Sequence, residues 1–316
     1  MPFSKNGIGR FFARTFDRDA LTNVMPPHIA RTTTLLVASD FAGSHGSLHF
    51  DTYSFLVMTL ESNRPWLDYQ RIFRTRVLRS NRRIAFKGLA DKLKRASMPA
   101  FLDMGSEIDG SLITFAIAKN AGPLFEESSP YEDSEILLVN WPKKHVKERL
   151  LRVLHLGGFL LSGLSAPAQN ILWITDEDEI ASNVGQLIAL TTVFGRVASG
   201  YLSHDLGRMR CGTTKSDDGS LVLEDVAAYA DLAAGAVSEL LTELRGERDK
   251  LTRGIMTMVS SKLSWKARGI AQWLADTSGR LKRRTVFLDI NPITDRLRVA
   301  ELQLHAQPMD SQLIIP

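Results

Sequence analysis

Two periods run through the apolar positions of this chain. Segments that alternate or are apolar throughout fall at Thr32–Ala38 (TTTLLVA), His49–Leu60 (HFDTYSFLVMTL), Ser111–Lys119 (SLITFAIAK), Asn170–Thr175 (NILWIT) and Thr285–Ile290, and each predicts a strand. The first two flank the turn Phe41–Ser47 and predict a hairpin. Helical spacing follows: Trp66, Tyr69, Phe73 and Val77 recur at steps of three and four, which predicts a helix over 66–79 with those four side chains in the core. Arg82–Phe86 (RRIAF) reads as a short strand, and Leu89, Leu93, Ala96 and Ala100 predict a helix over 89–102. Residues 134–163 read as mostly helical, broken near Pro142 and at Gly157 and Gly158. Helices are expected over 180–202 and 221–244, with a polar turn region at 211–220. Strands followed by strands alternating with helices predict an α/β mixed sheet flanked by helices. The organisation expected is an N-terminal arm (1–30), a main domain (31–244) and a helical C-terminal extension with a short strand (245–316).

Composition narrows the class. The 316 residues are 44% hydrophobic and 23% charged, which excludes a disordered chain, and the single cysteine, Cys211, excludes a disulfide-stapled secreted module. A reducing, cytoplasmic setting fits this usage. The N-terminus lacks a continuous apolar stretch of the secretory kind. The most apolar region, Leu150–Ile174, is interrupted by Arg152, His155, Pro167, Gln169 and Asn170, so no membrane span is expected.

The net charge of +4 hides an asymmetry. Between Arg64 and Arg95 there are eleven basic residues and two acidic ones, a local surplus of nine, which leaves the rest of the chain at −5. Within that segment Arg71 and Arg74 fall on one side of the expected helix, and Arg82, Arg83 and Lys87 follow it. So dense a basic stripe is the electrostatic footprint of a polyanion partner, nucleic acid first among them. A solvated helix face is the plain alternative.

Three carboxylates sit where rigid elements would hold them: Asp40 at the end of the first strand, Asp176 at the end of the Asn170–Thr175 strand, and Asp231 on the late apolar helix. Carboxylates converging from separate elements can hold divalent cations that activate water against a phosphodiester. Capping and turn formation are the structural alternative, above all for Asp176 beside Glu177, Asp178 and Glu179.

The order of these features resembles a large, uncharacterised bacterial family with an RNase H-like fold. The resemblance rests on Asp40-Phe41-Ala42-Gly43 at a strand end, Lys87-Gly88 before a helix, Ala118-Lys119, Asp176, and Ala230-Asp231-Leu232-Ala233-Ala234-Gly235 on a late helix. It implies an RNase H-like mixed sheet, Mg (or Mn) with two ions possible, Asp40, Asp176 and Asp231 as metal ligands, and Lys87 near the phosphate. The family's first motif usually reads Asp-Glu-Ser-Gly, so Phe41 departs from it. Ala85 or Phe86 stands where a carboxylate often precedes the Lys-Gly step, and Asp91 is the candidate substitute. Glu224, two turns before Asp231, is a further candidate ligand or an exposed side chain.

Other constellations point elsewhere. His45, His49 and Asp51 fall within seven residues but straddle the hairpin turn, and Cys211 has only His204 nearby. The function expected is a metal-dependent nuclease or related phosphoryl-transfer enzyme on nucleic acid held by Arg71, Arg74, Arg82, Arg83 and Lys87. The competing expectation is a catalytically inactive RNase H-like module that binds nucleic acid or a partner protein.

Overall fold

The computed structural model describes residues 29–43, 48–79, 81–122, 138–244, 257–258, 262–290 and 297–305. Residues 1–28 of the expected arm, and His45 of the histidine pair, lie outside the described residues.

A seven-stranded sheet has the order β5-β4-β1-β2-β3-β7-β8. Its strands are β1 (Thr34–Ala42), β2 (Phe50–Met58), β3 (Gly110–Ala118), β4 (Asn170–Thr175), β5 (Met209–Thr213), β7 (Lys282–Ile290) and β8 (Leu297–Leu302). The pair β6 (Thr257–Met258) and β9 (Leu304–His305) stands apart. β2 is antiparallel to β1 and β3, while β1–β4, β4–β5 and β3–β7 are parallel. The order β5-β4-β1-β2-β3, with β2 alone reversed, is the RNase H-like mixed sheet. Residues beyond 245 do more than add a helix. Besides α6 (Trp265–Ala275), they supply β7 and β8, which widen the sheet past β3.

Two edge strands escaped the hydrophobic pattern, and the reason is exposure. β5 (MRCGT) buries only its last two residues, and in β8 alternation is confined to six residues. Conversely, Arg82–Phe86 joins no strand ladder. Ala85 is extended (φ −150°, ψ 146°), but Phe86 enters a 3-10 turn, Phe86–Ala90.

Alternation along the central strands feeds two cores. Leu36, Ala38, Leu56, Leu112 and Ala116 face one side, covered by α1 (Arg64–Ile72), α2 (Lys92–Ser106), α5 (Val222–Glu243) and α6. Leu35, Val37, Phe55, Ile113 and Phe115 face the other, under α3 (Lys144–Leu164) and α4 (Val184–Ser199). On the first side, Phe101 stacks on Tyr229 (centroids 4.5 Å apart) and Tyr229 on Trp273 (5.9 Å), tying α2, α5 and α6 together. Such pairs add about 0.5–1.5 kcal/mol each beyond area burial.

Two helix expectations change in detail. α1 runs on into a π-helical turn, Phe73–Leu78, so the buried set is Trp66, Gln70, Phe73 and Leu78, while Tyr69 is 51% and Val77 39% exposed. The five-residue step from Phe73 to Leu78 is the signature of that wider turn. α3 passes through Gly157 and Gly158 without a break. The glycines are there because α4 comes close: a β-carbon at Gly158 would lie 3.0 Å from Tyr201 and 3.2 Å from the Ala198 backbone.

Candidate active site

A cavity of about 700 Å³ opens at the C-terminal ends of β1 and β4, on the α5 side of the sheet. Strand register builds its floor. Ser39 is level with Thr175 in the parallel pair, so Asp40 and Asp176 come off neighbouring strands one residue later. Alternation sends Asp40 to the same face as Leu36 and Ala38, toward α5. Phe41 turns the other way, 6.3 Å from Tyr53 and 4.9 Å beneath the Arg149 guanidinium, and so supplies no ligand where the family motif has an acid.

α5 brings in Asp231, because small residues let the helix lie close to the strands. The Thr52 hydroxyl donates to the Ala234 carbonyl (2.9 Å), and Gly235 leaves room for the Phe86 ring, which a β-carbon there would meet at 2.4 Å. That docking fixes Phe86, whose backbone N–H donates to Asp231 Oδ2 (2.5 Å). The position before Lys87-Gly88 therefore contributes a peptide N–H instead of a carboxylate. Lys266 donates to the Phe86 carbonyl (3.1 Å) and packs on its ring.

The Asp40 and Asp231 side chains lie close enough for each to act on the other's ionisation. Burial, then the Asp231 charge, pushes the Asp40 carboxyl well above the usual carboxylate range, and the Phe41 N–H (2.6 Å) offsets this only in part. Asp231 is raised by burial too, against the pull of the Phe86 N–H and the Lys87 charge. Two carboxyls in this arrangement share a proton when no cation lies between them. Asp178, whose candidacy was submerged in the acidic run 176–179, also lines the cavity, and burial lifts it to about 6.

Asp176 and Glu224 are handled differently. Arg83 donates from Nη2 to Asp176 Oδ1 (2.7 Å) and to the Thr214 hydroxyl (2.9 Å), and from Nε to Glu224 Oε2. Glu224 is thus a cavity residue with its side chain only 13% exposed, and of its two readings the solvent-exposed one is set aside. Burial works against the Arg83 charge, but Asp176 and Glu224 outweigh it and hold the guanidinium above its ordinary value.

The donors around Asp40 and Asp231 are hard oxygens, the ligand type that Mg²⁺ and Mn²⁺ take. Among the described residues, no three His, Cys, Asp or Glu side chains are gathered to hold an ion by themselves. Mg²⁺ is commonly held by one or two carboxylates with water completing its shell, so the Asp40–Asp231 pair fits one such ion.

The other predicted residues are divided. Arg83 and Lys87 line the cavity, whereas Asp91 does not: it caps α2, accepting from the Leu93 and Lys94 N–H groups (3.0 and 3.1 Å), and pairs with Arg82 (2.7 Å). Arg74 is withdrawn from the surface. Its side chain is 8% exposed and grips the buried Asp225, which also accepts from Gln70 (2.8 Å). Arg71 is displayed, 75% exposed and 3.3 Å from Asp68. Nine of the eleven basic residues between 64 and 95 are exposed: Arg64, Arg71, Arg76, Arg79, Arg82, Arg83, Lys87, Lys92 and Arg95. Asp51 pairs with Arg152 (3.0 Å), away from any metal role, and burial pushes the Cys211 thiol up to about 12. No helix among the described residues is long and apolar enough to cross a membrane.

No family model and no curated protein matches the chain. Among solved structures, ribonuclease H2 from Pyrococcus horikoshii OT3 is similar at 11% identity and a TM-score of 0.32, over 76% of this chain and 85% of that one. The fold class rests on the strand order and directions given above.

Proposed function

We propose that this protein is a divalent-metal-dependent nuclease or closely related phosphoryl-transfer enzyme. The observation that carries the reading is the Asp40–Asp231 pair: two half-buried carboxyls, each raised above its ordinary range chiefly by desolvation, at the floor of a cavity, an arrangement that costs stability until a cation replaces the shared proton. Asp40 and Asp231 would hold the ion. When bound, it would supply an activated water and stabilise charge on the phosphoryl oxygens. The Phe86 N–H fixes the orientation of Asp231, and Lys87 at the rim attracts the phosphate. Substrate is nucleic acid, drawn to the nine exposed cations of the 64–95 segment, of which Arg83 and Lys87 line the cavity, and its affinity falls steeply with salt.

The test is cleavage of labelled DNA and RNA in Mg²⁺ or Mn²⁺. Asp40→Ala and Asp231→Ala should each lower turnover by about 10³-fold or more while circular dichroism stays unchanged. Wild-type binding of nucleic acid without turnover in either metal would establish the inactive module instead.

A further inference from the structure

The cavity holds a cation of its own. Arg83 stands between Asp176 and Glu224, one side chain reached from β4 and the other from α5, and bonds both together with Thr214. In a centre with two ions, Asp176 is the carboxylate that the second ion needs. Here its Oδ1 is engaged by a guanidinium. A guanidinium is permanently charged and presents five donors in a plane, so it can bridge two carboxylates and still offer a donor to a phosphate oxygen. Among the described residues, the Arg83 Nη1 donors bond to none, and the side chain is 49% exposed within the cavity.

We infer that Arg83 is the built-in second cation of this site: the centre binds one divalent ion at Asp40 and Asp231, while Arg83 bridges and occupies Asp176 and Glu224 and offers Nη1 to the substrate phosphate. This rests on the metal-dependent reading above. It also assigns the inserted segment between β2 and β3 a part in the site, because Arg83 and the Phe86 N–H both come from it. Arg83 acts as a phosphate-binding residue, and no step of bond making passes through it.

Stoichiometry decides the matter without any activity assay. Calorimetric titration of the full chain with Mn²⁺ should give one ion per wild-type chain. Arg83→Met frees Asp176 and Glu224 and should raise the count to two, with the paired ions visible as spin coupling in the Mn²⁺ resonance spectrum; Arg83→Lys, which keeps a charge, should stay at one. Two ions in the wild type, or one ion in a folded Arg83→Met, would overturn the inference while leaving the nuclease reading standing. No ion in the wild type would remove both. Should Arg83→Met fail to fold, Arg83→Gln serves in its place, and the wild-type count remains decisive.

Discussion

Asp225 and Asp231 lie six residues apart on the same helix, the first fully buried and the second half-buried at the cavity, and their surroundings are opposite. Asp225 is met by the Arg74 guanidinium through two nitrogens and by the Gln70 amide, which pull against the burial that still holds its carboxyl above the ordinary value. Asp231 is met by a second carboxyl. One helix thus carries an acid paired with a guanidinium that locks α1 to α5 and another that faces a second carboxyl and waits for a ligand. The difference teaches where binding sites come from: the same side chain on the same helix becomes a structural tie or a site according to what the facing element presents.

Breaking the structural tie should have the largest effect. Arg74→Met leaves Asp225 buried without a counter-charge and should cost about 3–5 kcal/mol in urea unfolding. Adding Asp225→Leu to that variant should recover most of the loss, since an apolar pair of similar volume replaces an ion pair well. A loss under about 1 kcal/mol would mean that the guanidinium is dispensable.

The strained side of the comparison is sharpened by pH. Asp178 titrates near 6 in the folded chain against 3.8 for an ordinary aspartate, so between those values the folded state holds its proton more tightly than the unfolded one. Stability from this group is therefore greatest below about pH 4 and is lost as pH rises through about 6. Asp178→Asn keeps an acceptor for the Ile180 N–H and should gain about 2 kcal/mol at pH 7, with a flatter stability profile between pH 4 and 6. An unchanged profile would place the titration elsewhere.

The smallest effect expected is on the pair itself. Asp40→Asn retains the acceptor for the Phe41 N–H, removes one like charge, and should stabilise the metal-free chain by about 1 kcal/mol at pH 8. The same variant should lose the rise in melting temperature that millimolar Mg²⁺ gives the wild type. Metal affinity in the wild type should climb with pH, because the ion must displace the proton shared by Asp40 and Asp231.

Much of this was legible from residue order, for physical reasons that differ by element. The central strands β1, β2, β3 and β4 are buried on both faces and so announced themselves as apolar runs; the edge strands β5 and β8, half in water, did not. Asp40 and Asp231 could be picked out as acids at the end of a buried strand and on an apolar helix. What no local pattern carried was the pairing of charges across long separations. Arg74 with Asp225 spans 151 residues and Arg83 with Glu224 spans 141, so one basic stripe was divided between an internal tie, a cavity residue and a displayed surface. The π turn at Phe73–Leu78 likewise moved Tyr69 and Val77 outward, a change of register that a strict 3.6-residue period does not admit.

The place of β7 in the sheet has a consequence for how the protein is made. All the cavity's carboxylates from Asp40 to Glu239 emerge from the ribosome before Lys282, yet β3 borders β7 and stands as an open strand edge until β7 arrives. At roughly 5–20 residues per second, the interval from Ala118 to Lys282 lasts on the order of ten seconds. For that time nine consecutive buried residues, Gly110–Ala118, lack their outer neighbour, the condition under which nascent chains pair with one another. The final strands of the sheet are thus its protection during synthesis, and a nascent chain stalled before residue 282 is the species that should need a chaperone most.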